Sequence, residues 1–294
     1  MRVFQVRGAG GSSRLGVQWE GRTLVLQSAH DGVATAIHLL EALEERGLQA
    51  ERWLAAAERA DCFAEVLWDD LVRGTDLRLT VPVEPPEVWG AGVTYRRSAD
   101  FREEGSGIYS RVYSAERPEL FFKATASRCA GPGEPIGRRR DSRFTAAEPE
   151  VAIVLDRRGG ILGYTLANDV SAWDIERENP LYLPQSKVYT GCFAFGPTIV
   201  SPDEIADPGA IHLRCRVLRR EREVFAGEAS TAQLKRSFED LVGWLARSNA
   251  IRTGTVLSTG TGIIQPREVG LEEGDVVCLS SPELGELTNP VALV

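Results

Sequence analysis

The chain has 294 residues, of which 43% are hydrophobic and 26% are charged, values typical of a globular protein and not of a disordered or fibrous one. Its 34 basic and 42 acidic side chains give a formal net charge of −8, so we expect no nucleic-acid partner. No apolar run reaches the ~18 residues of a membrane span. Five scattered cysteines without a CxxC pair are typical of reduced thiols. We therefore expect a cytoplasmic protein that does not bind membranes.

The first elements that the sequence predicts are two short strands, over residues 16–19 and 23–26. Asp31 is expected to cap a helix that ends near Gly47, because the apolar residues between them recur at helical spacing. Further helical sequence follows over 53–71. Together these elements predict a small N-terminal α/β domain.

A proline-rich segment, 81–87, carries three prolines in seven residues, which neither a helix nor a central strand accepts. It predicts a boundary between a small domain over 1–82 and a larger β-rich domain over 83–294. In the larger domain, strands alternate with glycine and proline turns, and one helix begins near Ser230 or Thr231. The predicted strands cover 120–123, 151–155, 161–166, 211–218 and 276–280.

Three carboxylates are predicted to converge in the larger domain. Glu148 and Glu150 are two residues apart, so in a strand they project from the same face. A turn centred within 157–160 returns the chain as a hairpin and places Asp169 opposite Glu148 on that face. The spacing therefore predicts an acidic cluster built from one hairpin.

Such a cluster would repel itself unless a cation neutralised it. Oxygen ligands with no nearby Cys or His select a hard ion, Mg²⁺ first, with Mn²⁺ or Ca²⁺ as alternatives. A simpler interpretation is that Glu148 and Glu150 form the solvated face of an edge strand, to which Pro149 is suited. Spacing alone leaves both interpretations open.

Several short motifs occur in a specific order between Val88 and the C-terminus: Gly92-Val-Thr-Tyr95, Phe121-Phe-Lys123, Gly131-Pro-Gly133, Glu148-Pro-Glu150, Gly163-Tyr-Thr-Leu-Ala-Asn-Asp-Val-Ser171, Lys187, Gly196-Pro197, Thr259-Gly-Thr-Gly262 and Gly274-Asp275. In order and spacing they resemble the fumarylacetoacetate hydrolase family. The resemblance implies an α+β fold with that family's mixed β-roll, and a homodimer or homotetramer. It also implies that Glu148, Glu150 and Asp169 hold a Mg²⁺ or Mn²⁺ ion.

One motif departs from the hydrolases of that family. They carry a histidine, paired with a glutamate, where this chain has Ser98, and a serine cannot act as a base near pH 7. The segments 109–123 and 174–189 most resemble the branch of 2-keto-3-deoxy-D-arabinonate and related pentonate dehydratases. The resemblance thus implies Mg²⁺-dependent dehydration of a 2-keto-3-deoxy sugar acid to the semialdehyde of 2-oxoglutarate, through a metal-stabilised enolate.

Two residues are the candidate proton carriers for this lyase chemistry. Lys187 matches the family's lysine after the metal-binding aspartate, and the alternative for it is a solvated loop residue. Glu119 shares a strand face with Phe121 and Lys123, so it could relay a proton beside Lys123. The alternative for Glu119 is a surface ion pair with Lys123.

Four residues are expected to contact a small 2-keto acid substrate: Tyr95, Lys123, Gln185 and Thr261. The loop around Thr261 offers backbone N–H groups to a carboxylate, although alone it would be only a turn. Aromatic packing and a polar loop are the alternatives for Tyr95 and Gln185. Two competing functions stay open: an acylpyruvate-type C–C bond hydrolase or 2-oxo acid decarboxylase with the same metal site, and a non-catalytic relative.

Overall fold

The computed structural model describes residues 1–9, 11–102 and 107–294. Within these ranges the chain forms nineteen strands, eight α-helices and six short 3₁₀ helices. The strands are β1 (Arg2–Gly8), β2 (Arg14–Trp19), β3 (Arg22–Leu26), β4 (Phe63–Glu65), β5 (Leu77–Leu79), β6 (Val88–Gly92), β7 (Glu119–Ala124), β8 (Cys129–Ala130), β9 (Ile136–Arg138), β10 (Thr145–Ala146), β11 (Pro149–Leu155), β12 (Ile161–Asp169), β13 (Ser171–Ala172), β14 (Phe193–Val200), β15 (His212–Arg219), β16 (Arg222–Ser230), β17 (Thr255–Ser258), β18 (Val276–Ser281) and β19 (Gly285–Leu293). The helices are α1 (Ala36–Glu45), α2 (Ala50–Arg59), α3 (Trp68–Arg73), α4 (Arg96–Arg102), α5 (Ile108–Ser114), α6 (Trp173–Glu178), α7 (Leu183–Lys187) and α8 (Phe238–Leu245).

A twelve-stranded mixed sheet forms the centre of the molecule, in the order β4-β3-β2-β1-β14-β12-β11-β17-β6-β7, with β5 and β8 attached at its side. The N-terminal strands join the rest through the antiparallel β1–β14 pair, in which Arg2 lies opposite Val200. The sheet therefore runs through both predicted domains. The boundary between 82 and 83 stays a prediction.

A second sheet of five strands, in the order β16-β15-β18-β19-β9, packs against β11, β12 and β14 of the first. In β15, buried Leu213, Cys215 and Val217 alternate with exposed polar residues, as expected for a strand with one buried face. The run 151–155 is buried on both faces, and its alternate residues enter two different hydrophobic clusters. This uninterrupted apolar sequence explains why β11 lies in the interior of the sheet.

The predicted strands are confirmed, with small shifts at their ends. The two N-terminal ones are β2 and β3, and the later ones are β7, β11, β12, β15 and β18. The α+β class is also confirmed. Among the described residues, no helix is both long enough and apolar enough to cross a membrane.

The predicted helix start at Asp31 is wrong. Asp31 lies in a turn with a φ of 49°, and α1 begins only at Ala36. Val33, one of the apolar residues between Asp31 and Gly47, pairs with His30 in a short bridge that precedes the helix. Local backbone pairing therefore replaces the first predicted turn of this helix.

The helical sequence predicted over 53–71 is helical only in part. α2 ends at Arg59, and Asp61 then adopts a φ of 54°, which reverses the chain. Three following residues form β4, which pairs with β3 at the edge of the large sheet. Tertiary pairing overrides the helical spacing here, and helix resumes only in α3.

The helix predicted to begin near Ser230 starts later. Ser230 caps only a short 3₁₀ turn, Thr231–Gln233, and α8 begins after a second cap at Ser237. Leu234 therefore lies outside the helix, where it forms a bridge with Tyr95.

Candidate metal and substrate site

The hairpin of β11 and β12 builds the acidic cluster, in the predicted register. Pro149 pairs with Asn168, and the Asp169 amide donates a 3.0 Å hydrogen bond to the Glu148 carbonyl oxygen. One carboxylate oxygen from each of Glu148, Glu150 and Asp169 lies within 4.8 Å of the others, and all three residues are buried. The predicted convergence is confirmed, whereas the edge-strand alternative is wrong because β11 lies between β12 and β17.

Glu148 is held on both carboxylate oxygens. Its Oε1 accepts a 2.6 Å hydrogen bond from the indole N–H of Trp173, the first residue of α6. Its Oε2 lies 2.6 Å from Lys187 Nζ and 3.1 Å from Ser171 Oγ. These contacts fix the orientation of the carboxylate towards Asp169.

Glu150 receives hydrogen bonds from the end of β17. Ser258 Oγ and the Gly260 amide donate to its Oε2 at 2.5 and 2.7 Å. Gly260 has a φ of +99°, and a Cβ there would collide with Thr94, so a glycine is needed to present this amide. Burial, followed by the charges of Asp169 and Glu148, raises the pKa of Glu150 to about 8.

Asp169 lies between two buried lysines. Lys123 Nζ forms a 2.6 Å ion pair with Oδ1, and Lys187 Nζ donates to Oδ2 at 2.9 Å. Burial alone would raise the pKa of this carboxyl, but the two ammonium groups more than offset it and lower the pKa to about 2. Asp169 is therefore ionised throughout the physiological range.

Lys187 is a buried residue with defined partners. It ends α7, is 3% exposed, and donates to Glu148, Asp169 and Ser171, the last at 2.6 Å. Its Nζ also lies 5.0 Å from the centre of the Phe121 ring. The alternative of a solvated loop lysine is wrong, and the structure brings Lys187 to the acidic cluster as expected.

The charge and donor set of the cluster fit a hard divalent cation. Two lysines face three carboxylates, so one negative charge is left uncompensated, and burial together with the charges of Asp169 and Glu148 raises the pKa of Glu150. Every donor atom is a carboxylate oxygen, the ligand type that Mg²⁺, Mn²⁺ and Ca²⁺ prefer. The three residues can therefore hold such an ion.

A small cavity opens beside the acidic cluster. Of the predicted site residues outside the triad, Glu119, Lys187 and Thr261 line it. Glu119 lies on β7 opposite Gly92. A Cβ at position 92 would collide with the Glu119 carboxylate. Thr261 Oγ1 bonds the backbone of Ile263, donating to its carbonyl oxygen at 3.2 Å and accepting from its amide at 3.1 Å.

Three other predicted substrate contacts do not line this cavity. Lys123 is fully buried, forms an ion pair with Asp169 and donates to the Val170 carbonyl oxygen at 2.9 Å.

Tyr95 and Gln185 also lie outside the cavity lining. Tyr95 is buried against Gly262, and its burial, together with the charge of Glu150, raises the pKa of its phenol. Gln185 is exposed because it lies two residues before Lys187 on α7, and residues two apart point to different sides of a helix. Their contacts with substrate stay predictions.

Sequence reasoning missed Trp173, Glu176 and Ser258. Trp173 and Glu176 belong to α6, and Glu176 lines the cavity. The sequence did offer one signal for these two residues: they are three positions apart, just after the strand that ends in Asp169, and this spacing puts both side chains on one face of a helix. Ser98, which replaces the expected histidine, is buried in α4 and is not one of the described residues that line the cavity.

Residues 87–292 match the family model described as fumarylacetoacetate (FAA) hydrolase, C-terminal. The chain belongs to the fumarylacetoacetate hydrolase family. The expected family and its fold are thereby confirmed.

Two relatives within this family are named as dehydratases. A 2-dehydro-3-deoxy-D-arabinonate dehydratase of Saccharolobus solfataricus is 48% identical over 223 residues, which are 74% of this chain and 75% of that protein. A probable 2-keto-3-deoxyxylonate dehydratase of Haloferax volcanii is 40% identical over 287 residues, 97% of each chain. The expected similarity to the pentonate dehydratase branch is confirmed.

A solved structure of this branch has the same architecture. It is a 2-keto-3-deoxy-D-arabinonate dehydratase in complex with magnesium and 2,5-dioxopentanoate. It superposes with a TM-score of 0.86 at 38% sequence identity, covering 100% of this chain and 99% of that one. The likeness includes the N-terminal region as well as the part that the family model matches.

Proposed function

We propose that this protein is a Mg²⁺-dependent dehydratase that converts a 2-keto-3-deoxypentonate to 2,5-dioxopentanoate, the semialdehyde of 2-oxoglutarate, with loss of water. The supporting observation is the composition of the cavity beside the acidic triad. Glu119, Glu176 and Lys187 line it, and the lining residues that the structure describes include no imidazole. This set suits proton transfer at carbon better than the histidine-dependent activation of water.

Glu148, Glu150 and Asp169 would hold the ion. When bound, Mg²⁺ would polarise the C2 ketone of the substrate and acidify its C3 protons. The same ligand set also accommodates Mn²⁺ or Ca²⁺.

Lys187 and Glu119 are the proposed proton carriers for the first step. Both line the cavity, and the Lys187 ammonium can exchange its proton with the carboxylates it touches. Removal of a C3 proton and loss of the C4 hydroxyl release one water molecule. Lys123 keeps Asp169 ionised through its ion pair with Oδ1. Thr261 offers a hydroxyl at the cavity wall.

The proposal also covers the oligomeric state of the protein, its cellular location and its partners. We infer a homodimer or homotetramer in the cytoplasm, with no nucleic-acid partner. Five free thiols, all within the described part of the chain, suit a reducing compartment, and a net charge of −8 disfavours nucleic acid.

The test is incubation with 2-keto-3-deoxypentonates of both C4 configurations, with Mg²⁺ or with EDTA. An NADP-dependent aldehyde dehydrogenase reports the semialdehyde. Metal-dependent signal from one configuration is expected. Pyruvate released from an acylpyruvate, or carbon dioxide released from a 2-oxo acid, without semialdehyde would contradict the proposal.

A further inference from the structure

Glu176 is a cavity carboxylate outside the metal triad. Its side chain is 7% exposed and lines the same cavity as Glu119 and Lys187. It follows Trp173 by three residues on α6, so both lie on one face of the helix. Because Trp173 donates to Glu148, this face is directed towards the triad.

The helix that carries Glu176 is firmly anchored. The two carboxylate oxygens of Asp174 accept hydrogen bonds from Ser142 Oγ at 2.7 Å and from the Arg143 amide at 2.6 Å. Tyr109 donates to Glu176 Oε1 at 3.4 Å. The Glu176 carboxylate is therefore held at a fixed place in the cavity wall.

The proposed dehydration needs proton transfers beyond the one at C3. The role inferred below for Glu176 rests on this proposed dehydratase function. Loss of a C3 proton and the C4 hydroxyl, as water, leaves a C3–C4 double bond conjugated with the C2 ketone. One C5 hydrogen must then leave as a proton while C3 gains one, which gives a C4–C5 enol. Finally the enol hydroxyl loses its proton and C4 gains one, which completes the aldehyde at C5. C4 is reduced and C5 oxidised, so no external oxidant is required.

We propose that Glu176 is the carrier that takes the C5 proton and returns a proton to C4. Lys187 contacts the triad and so serves the end of the substrate nearest the metal ligands. C5 lies three carbons from the C2 ketone, whereas Lys187 is fixed by its contacts with Glu148 and Asp169. A buried carboxylate on a separate helix supplies a second carrier, and its burial limits exchange of the carried proton with bulk water.

The test uses the Mg²⁺-loaded enzyme and separates the two steps. Exchange of the C3 hydrogens of 2-oxobutyrate with D₂O reports the first step, and formation of 2,5-dioxopentanoate reports the whole reaction. Glu176→Gln is expected to retain C3 exchange within about threefold but to lose product formation by about 100-fold or more. Glu178→Gln, at an exposed position of the same helix, is the matched control and is expected to match the unmodified enzyme in both assays.

Glu176→Asp provides an independent measurement, should the glutamine variant fail to fold. It keeps the carboxylate but shortens its reach, so a substrate deuterated at C5 is expected to show a larger isotope effect on product formation than with the unmodified enzyme. An unchanged isotope effect, or equal losses of C3 exchange and product formation in Glu176→Gln, would overturn the assignment. If the unmodified enzyme forms no 2,5-dioxopentanoate, the proposed function itself fails, and the assignment fails with it.

Discussion

The Asp169 amide donates a hydrogen bond to the Glu148 carbonyl oxygen at 3.0 Å, so two of the triad carboxylates face each other across one hairpin. Their distance therefore depends on the register of β11 and β12. Because side chains alternate in a strand, a slip of one residue would turn one of the carboxylates to the opposite face of the sheet.

Asp169→Asn is expected to abolish Mg²⁺ binding and activity together. The amide removes a negative charge that both Lys123 and Lys187 contact. Breaking a buried ion pair costs about 3–5 kcal/mol, so the free energy of unfolding should fall as well. Calorimetric titration with Mg²⁺ and thermal unfolding measure the two effects. Full activity in this variant would exclude Asp169 as a metal ligand.

Lys187→Ala is expected to keep its Mg²⁺ affinity and to lose turnover by about 100-fold or more. Glu148 keeps the Trp173 and Ser171 donors, while the ammonium that contacts two of the ligand carboxylates is removed. Lys235→Ala, at an exposed position outside this site, is the matched control. Unchanged turnover in Lys187→Ala would remove this lysine from the mechanism.

Mg²⁺ binding should release a proton near neutral pH. With a pKa of about 8, Glu150 is largely protonated at pH 7 in the metal-free protein, and a cation must displace that proton. The affinity for Mg²⁺ should therefore rise between pH 6 and 8. Titration calorimetry in two buffers of different ionisation enthalpy counts the protons, and a pH-independent affinity with no proton release would contradict this prediction.

The metal-free protein should also become less stable as pH rises between about 4.5 and 8. In that range the folded state keeps a proton on Glu150 that the unfolded chain has lost, so the free energy of unfolding falls with pH. Saturating Mg²⁺ should reduce this slope, because the ion replaces the proton. Denaturant unfolding at several pH values, with Mg²⁺ or EDTA, makes the comparison.

Trp173→Phe is expected to weaken Mg²⁺ binding by about 10- to 100-fold, because Glu148 loses the indole donor that orients it. The loss of a buried hydrogen bond should also lower the free energy of unfolding by about 1–3 kcal/mol. Trp89→Phe is the matched control, since its indole donates to Glu87 at a partly buried position. Equal Mg²⁺ affinities in the two variants would contradict a role for Trp173 in holding the ligand.

The metal triad could be predicted from the sequence because a hairpin with a defined turn fixes its own register over a few residues. A second local rule, the alternation of side chains in a strand, predicts Glu119, Phe121 and Lys123 on one face of β7; the first two line the cavity, whereas Lys123 does not. Glu176 could not be placed in this way, since its position depends on how α6 docks against distant segments such as Ser142 and Arg143. The helical pattern over 53–71 failed for a related reason, because strand pairing with β3 replaced part of it.

The most direct test of the proposed dehydration is a ¹³C NMR spectrum of the reaction with a 2-keto-3-deoxypentonate labelled at C4. With Mg²⁺, the carbinol signal of C4 should be replaced by a methylene signal of 2,5-dioxopentanoate, and neither EDTA-treated enzyme nor Asp169→Asn should produce it. Recovery of the label in a two-carbon aldehyde beside pyruvate would show cleavage of the C3–C4 bond. That result would contradict dehydration at the triad.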